Sequence, residues 1–312
     1  MQKNNKIWLD GKIYPWEKAK VHVLSHSLHY GTGVFEGIRF YDTAKGPSIF
    51  QLDEHIDRLF YSAGCMKFKV PYSKKQLKDA IIKIIQVNKL TDGYIRPIIF
   101  YGAEHLGIHP KGCKVHTAIA AWAWGAYLGT KPVNALISSF IRIHPKSTHA
   151  EAKICGHYEN STLASIEALE AGYDEAILLD YKGYVAEGPG ENIFIVKKGV
   201  LYTPSTGNIL KGITRASIMK IAAEFKIICM EKKITVKDLL SADEAFYTGT
   251  AAQVSAIGSI NHKKIGDGTM GPITKKLSDH YSAIVHGEVP TYFHWLTPVK
   301  IRPGIEKTQK NK

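Results

Sequence analysis

Short apolar runs broken by turn residues open the chain, and wider helical spacing takes over after residue 52. In "IWLDGKIY" two such runs flank Asp10-Gly11, a favoured two-residue turn, and predict a hairpin. "GVFEGIRFY" (33–41) predicts a further strand. In "EHIDRLFYSAG" Ile56, Leu59 and Phe60 fall on one helical face, with Asp53 placed to cap it. Ser73 and Gln76 form a capping box for the helix "KKQLKDAIIKIIQVNKL". "YIRPIIFYG" and "VHTAIAAWAW" predict buried strands, and "LGTKPV" (128–133) a linker. Beyond it the pattern predicts a helix near 160–171, then strands in "EAILLD", "GYVAEG" and "NIFIVKKGVLYT". A helix from Thr214 to Phe225, strands in "EAFYTG" and "VSAIGSIN", and a last helix in "PITKKLSDHYSAIV" complete the series.

Hairpins and helices mix without regular βαβα alternation, so the expected class is α+β. Two domains are expected: 1–127, smaller and N-terminal, and 134–299, larger, joined by the linker 128–133. A basic tail, 300–312, follows. Composition changes this picture little: 45% apolar and 22% charged residues suit a globular chain. No apolar h-region follows Met1, and "HTAIAAWAWGAYLG" is too short to span a bilayer. Four cysteines show no CxxC spacing, so a reducing cytoplasm is expected, with no membrane partner.

A net charge of +13 raises nucleic acid as a partner, but the distribution argues against it. Five basic residues (Lys300, Arg302, Lys307, Lys310, Lys312) against one acid, Glu306, lie in the tail, and the other lysines are scattered. Only six of the 41 basic residues are arginines: Arg39, Arg58, Arg96, Arg142, Arg215 and Arg302. A chain that uses lysine for ordinary surface charge reserves arginine for sites that need a planar, permanently charged fork. His22, His26 and His29 have helical spacing, but no HExxH or cysteine completes a metal site, so none is expected. "GTGVFEG" misses the G-x-G-x-x-G spacing and opens a strand rather than a helix.

The remaining chemistry centres on Lys153 in "EAKICGHYEN". Most lysines are solvated surface charge. One that forms a Schiff base with pyridoxal phosphate needs a phosphate cradle, an acid for the pyridine nitrogen and a group near the ring oxygen. Gly212-Ile213-Thr214 at a helix start and the turn "TGTAA" (248–252) are candidate cradles, with Arg58 as a fork. Glu187 in "VAEGPGEN" is the candidate acid, with Glu191 as its competitor, and Tyr158 supplies a phenol.

Taken together, "HYGTGVFEGIRFYD", "DEHIDRL", "WGAYLG", "AKICGHYENSTLASIEALEAGYDEAILLD", "GYVAEGPGENIFIV", "KGITRASI" and "YTGTAAQV" resemble the branched-chain amino-acid aminotransferases. These are fold-type IV pyridoxal-phosphate enzymes, and the resemblance runs from about Ile7 to Leu296. It implies a two-domain fold of that type, with Lys153 as the Schiff-base lysine, Glu187 as the pyridine partner and Tyr158 at the ring oxygen. Arg58, Ile213, Thr214 and Thr250 would hold the phosphate. Tyr94 with the amides of Thr250 and Ala251 would hold the α-carboxylate. Phe35, Trp124, Tyr127 and Tyr158 would form an apolar wall, with Tyr30 and Arg96 at its edge. Leu106 and Ile108, in "EHLGIHP", would reach the pocket of a neighbouring subunit, which implies a homo-oligomer of at least two chains. The implied reaction is transamination of L-leucine, L-isoleucine and L-valine with 2-oxoglutarate. A D-amino-acid aminotransferase and an aminodeoxychorismate lyase are the alternatives of the same fold.

Overall fold

A computed structural model describes residues 5–125, 128–129 and 131–301. One sheet collects β1 (Lys6–Leu9), β2 (Lys12–Pro15), β3 (Gly33–Phe35), β4 (Ile38–Tyr41), β5 (Ser48–Phe50), β6 (Gly93–Tyr101) and β7 (Val115–Trp122). The other holds β8 (Val133–Ile141), β9 (Glu175–Leu179), β10 (Val185–Glu187), β11 (Asn192–Lys197), β12 (Val200–Thr203), β13 (Cys229–Glu231), β14 (Glu244–Gly249), β15 (Gln253–Ile260) and β16 (Lys263–Lys264). A final strand, β17 (Leu296–Pro298), returns to the first sheet and pairs with β5, although its sequence position falls in the expected second unit. The helices are α1 (His26–Tyr30), α2 (Leu52–Cys65), α3 (Lys74–Asn88), α4 (Tyr158–Glu170), α5 (Ile213–Glu224), α6 (Val236–Leu240) and α7 (Pro272–Val285).

Local chemistry explains most of these bounds. Asp10 and Gly11 both take positive φ (48° and 85°), as a tight hairpin turn between β1 and β2 requires. Ser73 Oγ accepts from the Gln76 amide while the Gln76 side chain accepts from the Ser73 amide, so α3 starts where its capping box sits. Two expectations change. The strand expected over 33–41 is cut at Glu36–Gly37 into β3 and β4, both paired with β6. A Cβ on Gly37 would lie 1.7 Å from the Tyr94 hydroxyl, so the backbone bends past that side chain only as glycine. The cap of α2 is Gln51 rather than Asp53, because the Trp295 carbonyl takes the Gln51 amide at 2.7 Å and fixes the turn two residues earlier.

The long strand β8 falls where no element was expected. Its buried positions shift from Val133 and Ala135 to Ser138 and its last three residues are exposed, so it shows no regular alternation, yet it lies parallel between β9 and β15. Ile38, Ile95, Ile99 and Ile119 of the first sheet pack on Leu59, Leu77, Ile81 and Ile84 of α2 and α3. The second sheet is covered on both faces. Ile218 and Ile221 of α5 and Leu277 and Ile284 of α7 lie on one side, and Ile234 and Leu239 on the other. That explains why "NIFIV" reads as a continuous apolar run. Each such side chain contributes about 1.5–3 kcal/mol, so the two sheets form a firm frame around whatever lies between them. Ala152 and Ile154 pack in the core of the first sheet, and Lys153 between them faces the cleft.

Candidate active site

Between the sheets lies a cleft lined by residues of both, from Gly37 and Tyr94 to Glu187 and Thr248. The backbone of Lys153 is pinned there by the Phe35 amide on its carbonyl (3.1 Å) and by its own amide on Ser62 Oγ (2.9 Å). Its amine donates to Tyr158 Oη at 2.5 Å and lies 4.9 Å above the Phe35 ring. Burial, with the Arg58 guanidinium nearby, pushes the Lys153 amine down to about 8, against an opposing pull from Glu36. Burial pushes the Tyr158 phenol above its usual range, and the Glu187 carboxylate adds to the shift.

Glu187 ends β10. It accepts from Arg142 Nε at 2.5 Å, Asn192 Nδ2 at 3.1 Å and the Leu210 amide at 3.0 Å. Burial pushes its carboxyl up, while Arg142 and the Leu210 amide pull against that shift. Glu191 also lines the cleft, but its Oε2 accepts from the Gly190 amide and packs under the 188–190 turn. Burial and the neighbouring Glu175 push that carboxyl up to about 8.

Arg58, on α2, presents Nε and Nη2 to Glu36 at 2.6 and 2.8 Å and Nη1 to the Lys211 carbonyl at 3.0 Å. His55 Nδ1 donates to the same Glu36 at 2.8 Å. Burial alone would raise the Glu36 carboxyl; Arg58 and His55 outweigh it and hold the group far below the usual carboxylate range. Ile213 and Thr214 begin α5, whose N-cap, Gly212, offers no side-chain hydrogen bond, so the first amides face the cleft uncapped. Thr250 and Ala251 line the same cleft after β14.

Expected pocket residues separate into two groups. Arg58, Tyr94, Lys153, Tyr158, Glu187, Ile213, Thr214, Thr250 and Ala251 line the cleft. Phe35, Arg96 and Trp124 form a layer beside it: Phe35 packs edge-on against Tyr158 at 4.7 Å, and Trp124 against Tyr94 at 4.5 Å. The Arg96 guanidinium lies over the Phe35 and Tyr94 rings. Arg39, Arg58, Arg142 and Arg215 each bond a carboxylate, whereas Arg96 has no acid partner among the described residues and its buried Nε is unsatisfied. Tyr30 does not line this cleft. Its hydroxyl donates to the Leu106 carbonyl at 2.9 Å, on an exposed loop where Ile108 is 79% accessible. Tyr127 lies outside the described residues. The spaced histidines are accounted for locally: His26 bonds Thr32 and Gly107, and His29 bonds the Val23 carbonyl.

Sequence reasoning missed Glu36, His55, Asn192 and the pairing of Arg142. A single acid inside the apolar run "GVFEGIRFY" and the scarcity of arginine were the available signals.

The amino-transferase class IV family pattern matches residues 33–260, which take in most strands of both sheets and every cleft residue named above. The chain belongs to this class IV aminotransferase family. Among class IV relatives, the branched-chain-amino-acid aminotransferase of Pseudomonas aeruginosa is 48% identical over 298 residues, 94% of this chain and 97% of that one. The enzyme of the same name from Escherichia coli K12 is 43% identical, covering 96% of this chain and 98% of its own. A solved T.th. branched-chain amino acid aminotransferase, complexed with N-(5'-phosphopyridoxyl)-L-glutamate, superposes with a TM-score of 0.94 at 44% identity. That match covers 96% of this chain and all of the other. The architecture is therefore the fold-type IV, α+β arrangement of these aminotransferases.

The cleft suits a phosphorylated pyridine aldehyde. It offers an uncapped helix start for phosphate, a depressed lysine amine and a buried acid at the other end. Two buried donors that line it, Arg142 Nη1 and Thr248 Oγ1, have no partner in the protein.

Proposed function

We propose that this protein is an aminotransferase that uses pyridoxal 5'-phosphate to move the amino group of L-leucine, L-isoleucine or L-valine to 2-oxoglutarate, giving L-glutamate. The observation that carries the site assignment is the Lys153 amine, 2.5 Å from Tyr158 Oη in a cleft that also holds Glu187. Pyridoxal phosphate supplies a carbonyl carbon for an amine and a ring that draws electron density from the substrate's Cα. Arg58 and the amides of Ile213, Thr214 and Thr250 hold its phosphate. Glu187 rather than Glu191 pairs with its ring nitrogen, because Arg142 gives Glu187 a counter-charge that Glu191, beside Glu175, lacks. Tyr158 donates to the ring oxygen.

Lys153 is the base that takes the proton from the substrate's Cα. An amine lowered to about 8 is a better base near neutral pH than a surface lysine, because more of it is unprotonated. Tyr94 and the Thr250 and Ala251 amides grip the α-carboxylate. Phe35, Trp124 and Tyr127 give an apolar wall for a branched side chain. Arg96, which has no acid of its own among the described residues, receives the distal carboxylate of glutamate. Tyr30 travels with Leu106 and Ile108, and together they complete the cleft of a second copy, so the active species is at least a dimer. We also assign the protein to the cytoplasm and place its domain boundary at 128–133. Among the described residues no helix is long and apolar enough to cross a membrane.

The test is a coupled assay with L-leucine, D-alanine and aminodeoxychorismate, paired with borohydride trapping of the bound cofactor. Turnover of L-leucine and a trapped adduct at Lys153, both lost in Lys153→Ala, are expected. An adduct at another lysine would overturn the assignment.

A further inference from the structure

His157 closes the short 3-10 turn Cys155–His157 between Lys153 and α4, and the reading above gives it no task. Its ring is buried and lines the cleft. Nδ1 lies 3.2 Å from the Ala152 carbonyl, and Nε2 lies 2.7 Å from Thr148 Oγ1. A carbonyl only accepts, so Nδ1 carries the hydrogen, and the Thr148 hydroxyl donates to a bare Nε2. Burial, with the Arg142 guanidinium nearby, holds the imidazole down to about 4, so this one tautomer persists at neutral pH.

Ala152 is the residue before Lys153, and the peptides on either side of the lysine are held from several directions. The Ala152 amide donates to the His149 carbonyl at 2.8 Å, the Lys153 amide to Ser62, and the Phe35 amide to the Lys153 carbonyl. The Ala152 carbonyl is left for His157. Through Thr148 the same ring reaches the 143–150 loop, whose Ala150 carbonyl accepts from Arg142, the partner of Glu187. One imidazole therefore connects the anchor of the amine to the loop that also contacts the anchor of the acid.

We propose that His157 is a positioning residue: its ring clamps the Ala152 carbonyl to the Thr148 hydroxyl and so fixes the backbone from which the Lys153 amine works. This deepens the transamination reading and rests on it. The lysine must move its amine over short distances in both half-reactions while its backbone stays put. An error of about 1 Å in such a group costs on the order of a hundredfold in rate.

The test uses the holoenzyme. Single-turnover rates with L-leucine and with L-glutamate are followed by cofactor absorbance, at matched cofactor occupancy, with melting midpoints measured alongside. His157→Leu should slow both half-reactions by about tenfold or more, equally, with half-saturating substrate unchanged. His157→Asn keeps a donor two bonds from Cβ, able to reach the Ala152 carbonyl, and should return to within about threefold of the parent. Thr148→Val should lose about threefold, and add nothing on top of His157→Leu, because both break one chain of contacts. Parent-like rates in His157→Leu, additive losses in the double variant, or equal losses and equal melting shifts in the Leu and Asn variants would overturn the proposal. A parent protein that takes up no pyridoxal phosphate would bring down the transamination reading as well, whereas an active parent with an unaffected His157→Leu variant removes this inference alone.

Discussion

Behind Arg58, at one end of the cleft, the buried Glu36 receives two prongs of that arginine at 2.6 and 2.8 Å and His55 Nδ1 at 2.8 Å. At the other, Glu187 receives one prong of Arg142 at 2.5 Å and two neutral donors, Asn192 and Leu210. Both carboxylates are buried, yet their proton affinities move in opposite directions. A bidentate guanidinium plus a third donor overcomes the cost of desolvation at Glu36, and a single prong does not overcome it at Glu187. Glu36 is a closed structural pair that holds Arg58 in one orientation. Glu187 is left short of positive charge, with an unsatisfied Arg142 Nη1 nearby, and a protonated pyridine nitrogen would complete it. The protein itself completes Glu36, whereas on the proposed placement the cofactor's ring nitrogen would complete Glu187.

Replacing the two acids by their amides tests that contrast most severely. Losing one member of a buried charge pair costs about 3–5 kcal/mol, roughly two to nearly four powers of ten in an equilibrium or a rate. Glu187→Gln should show that loss in catalysis: turnover of L-leucine falls about a hundredfold to several thousandfold while the folded protein keeps its cofactor. Glu36→Gln should spend about 3 kcal/mol on stability, read as a lower urea midpoint of the apoprotein, because Arg58 is left buried without a counter-charge. A Glu187→Gln variant with parent-like turnover, or a Glu36→Gln variant as stable as the parent, would end the comparison.

Arg96 extends it to the substrate. Of the five arginines in the described residues, the other four bond acids, so this one is the cation with charge to spare. Arg96→Ala should slow the glutamate half-reaction roughly a hundredfold, whereas leucine should lose only a few-fold through the 3.4 Å contact from Arg96 to Tyr94 Oη. Single-turnover absorbance with each substrate measures both effects, and equal losses would make Arg96 a packing residue instead.

Legibility followed the range of the interactions. The Asp10-Gly11 turn, the capping box of α3 and the span of α7 depend on neighbours within a few residues, and the sequence pattern locates each. Lys153, Tyr158 and Glu187 were found from chemistry and from the family resemblance, and they do share one cleft. Glu36 pairs with a residue 22 positions away and Arg142 with one 45 away, distances at which no local pattern signals a partner. For β8 the reason is different. Its burial switches sides midway, so the alternation that marks a half-buried strand is absent. The return of β17 to β5 is likewise a tertiary choice, made by the pairing of Leu296 with Phe50.

The smallest expected effect concerns Lys153 itself, which lies between the two ends. Its amine is pushed down from 10.5 to about 8 in the folded protein, by burial first and Arg58 second, while Glu36 opposes the shift only in part. Glu36 is already committed to Arg58, so it gives the ammonium little direct support. An unfolded chain keeps the ordinary lysine value. Between about pH 8 and 10.5 the unfolded chain therefore holds a proton that the folded one has released, and stability of the apoprotein rises with pH across that window. Below pH 8 both states are protonated and the folded state bears the whole penalty of a buried ammonium. Lys153→Met removes that charge at nearly equal length. The variant apoprotein should therefore be more stable than the parent at pH 7, by roughly 1–3 kcal/mol. The difference should shrink as pH climbs through the window, because the parent sheds its proton there. Urea unfolding of both apoproteins at pH 7 and pH 9.5 reads this directly, and comparing the two chains cancels the titration of every other group. A stability difference that stays constant between those pH values would mean that the Lys153 ammonium is fully compensated in the fold, with the 2.5 Å contact to Tyr158 as the first place to look for that compensation.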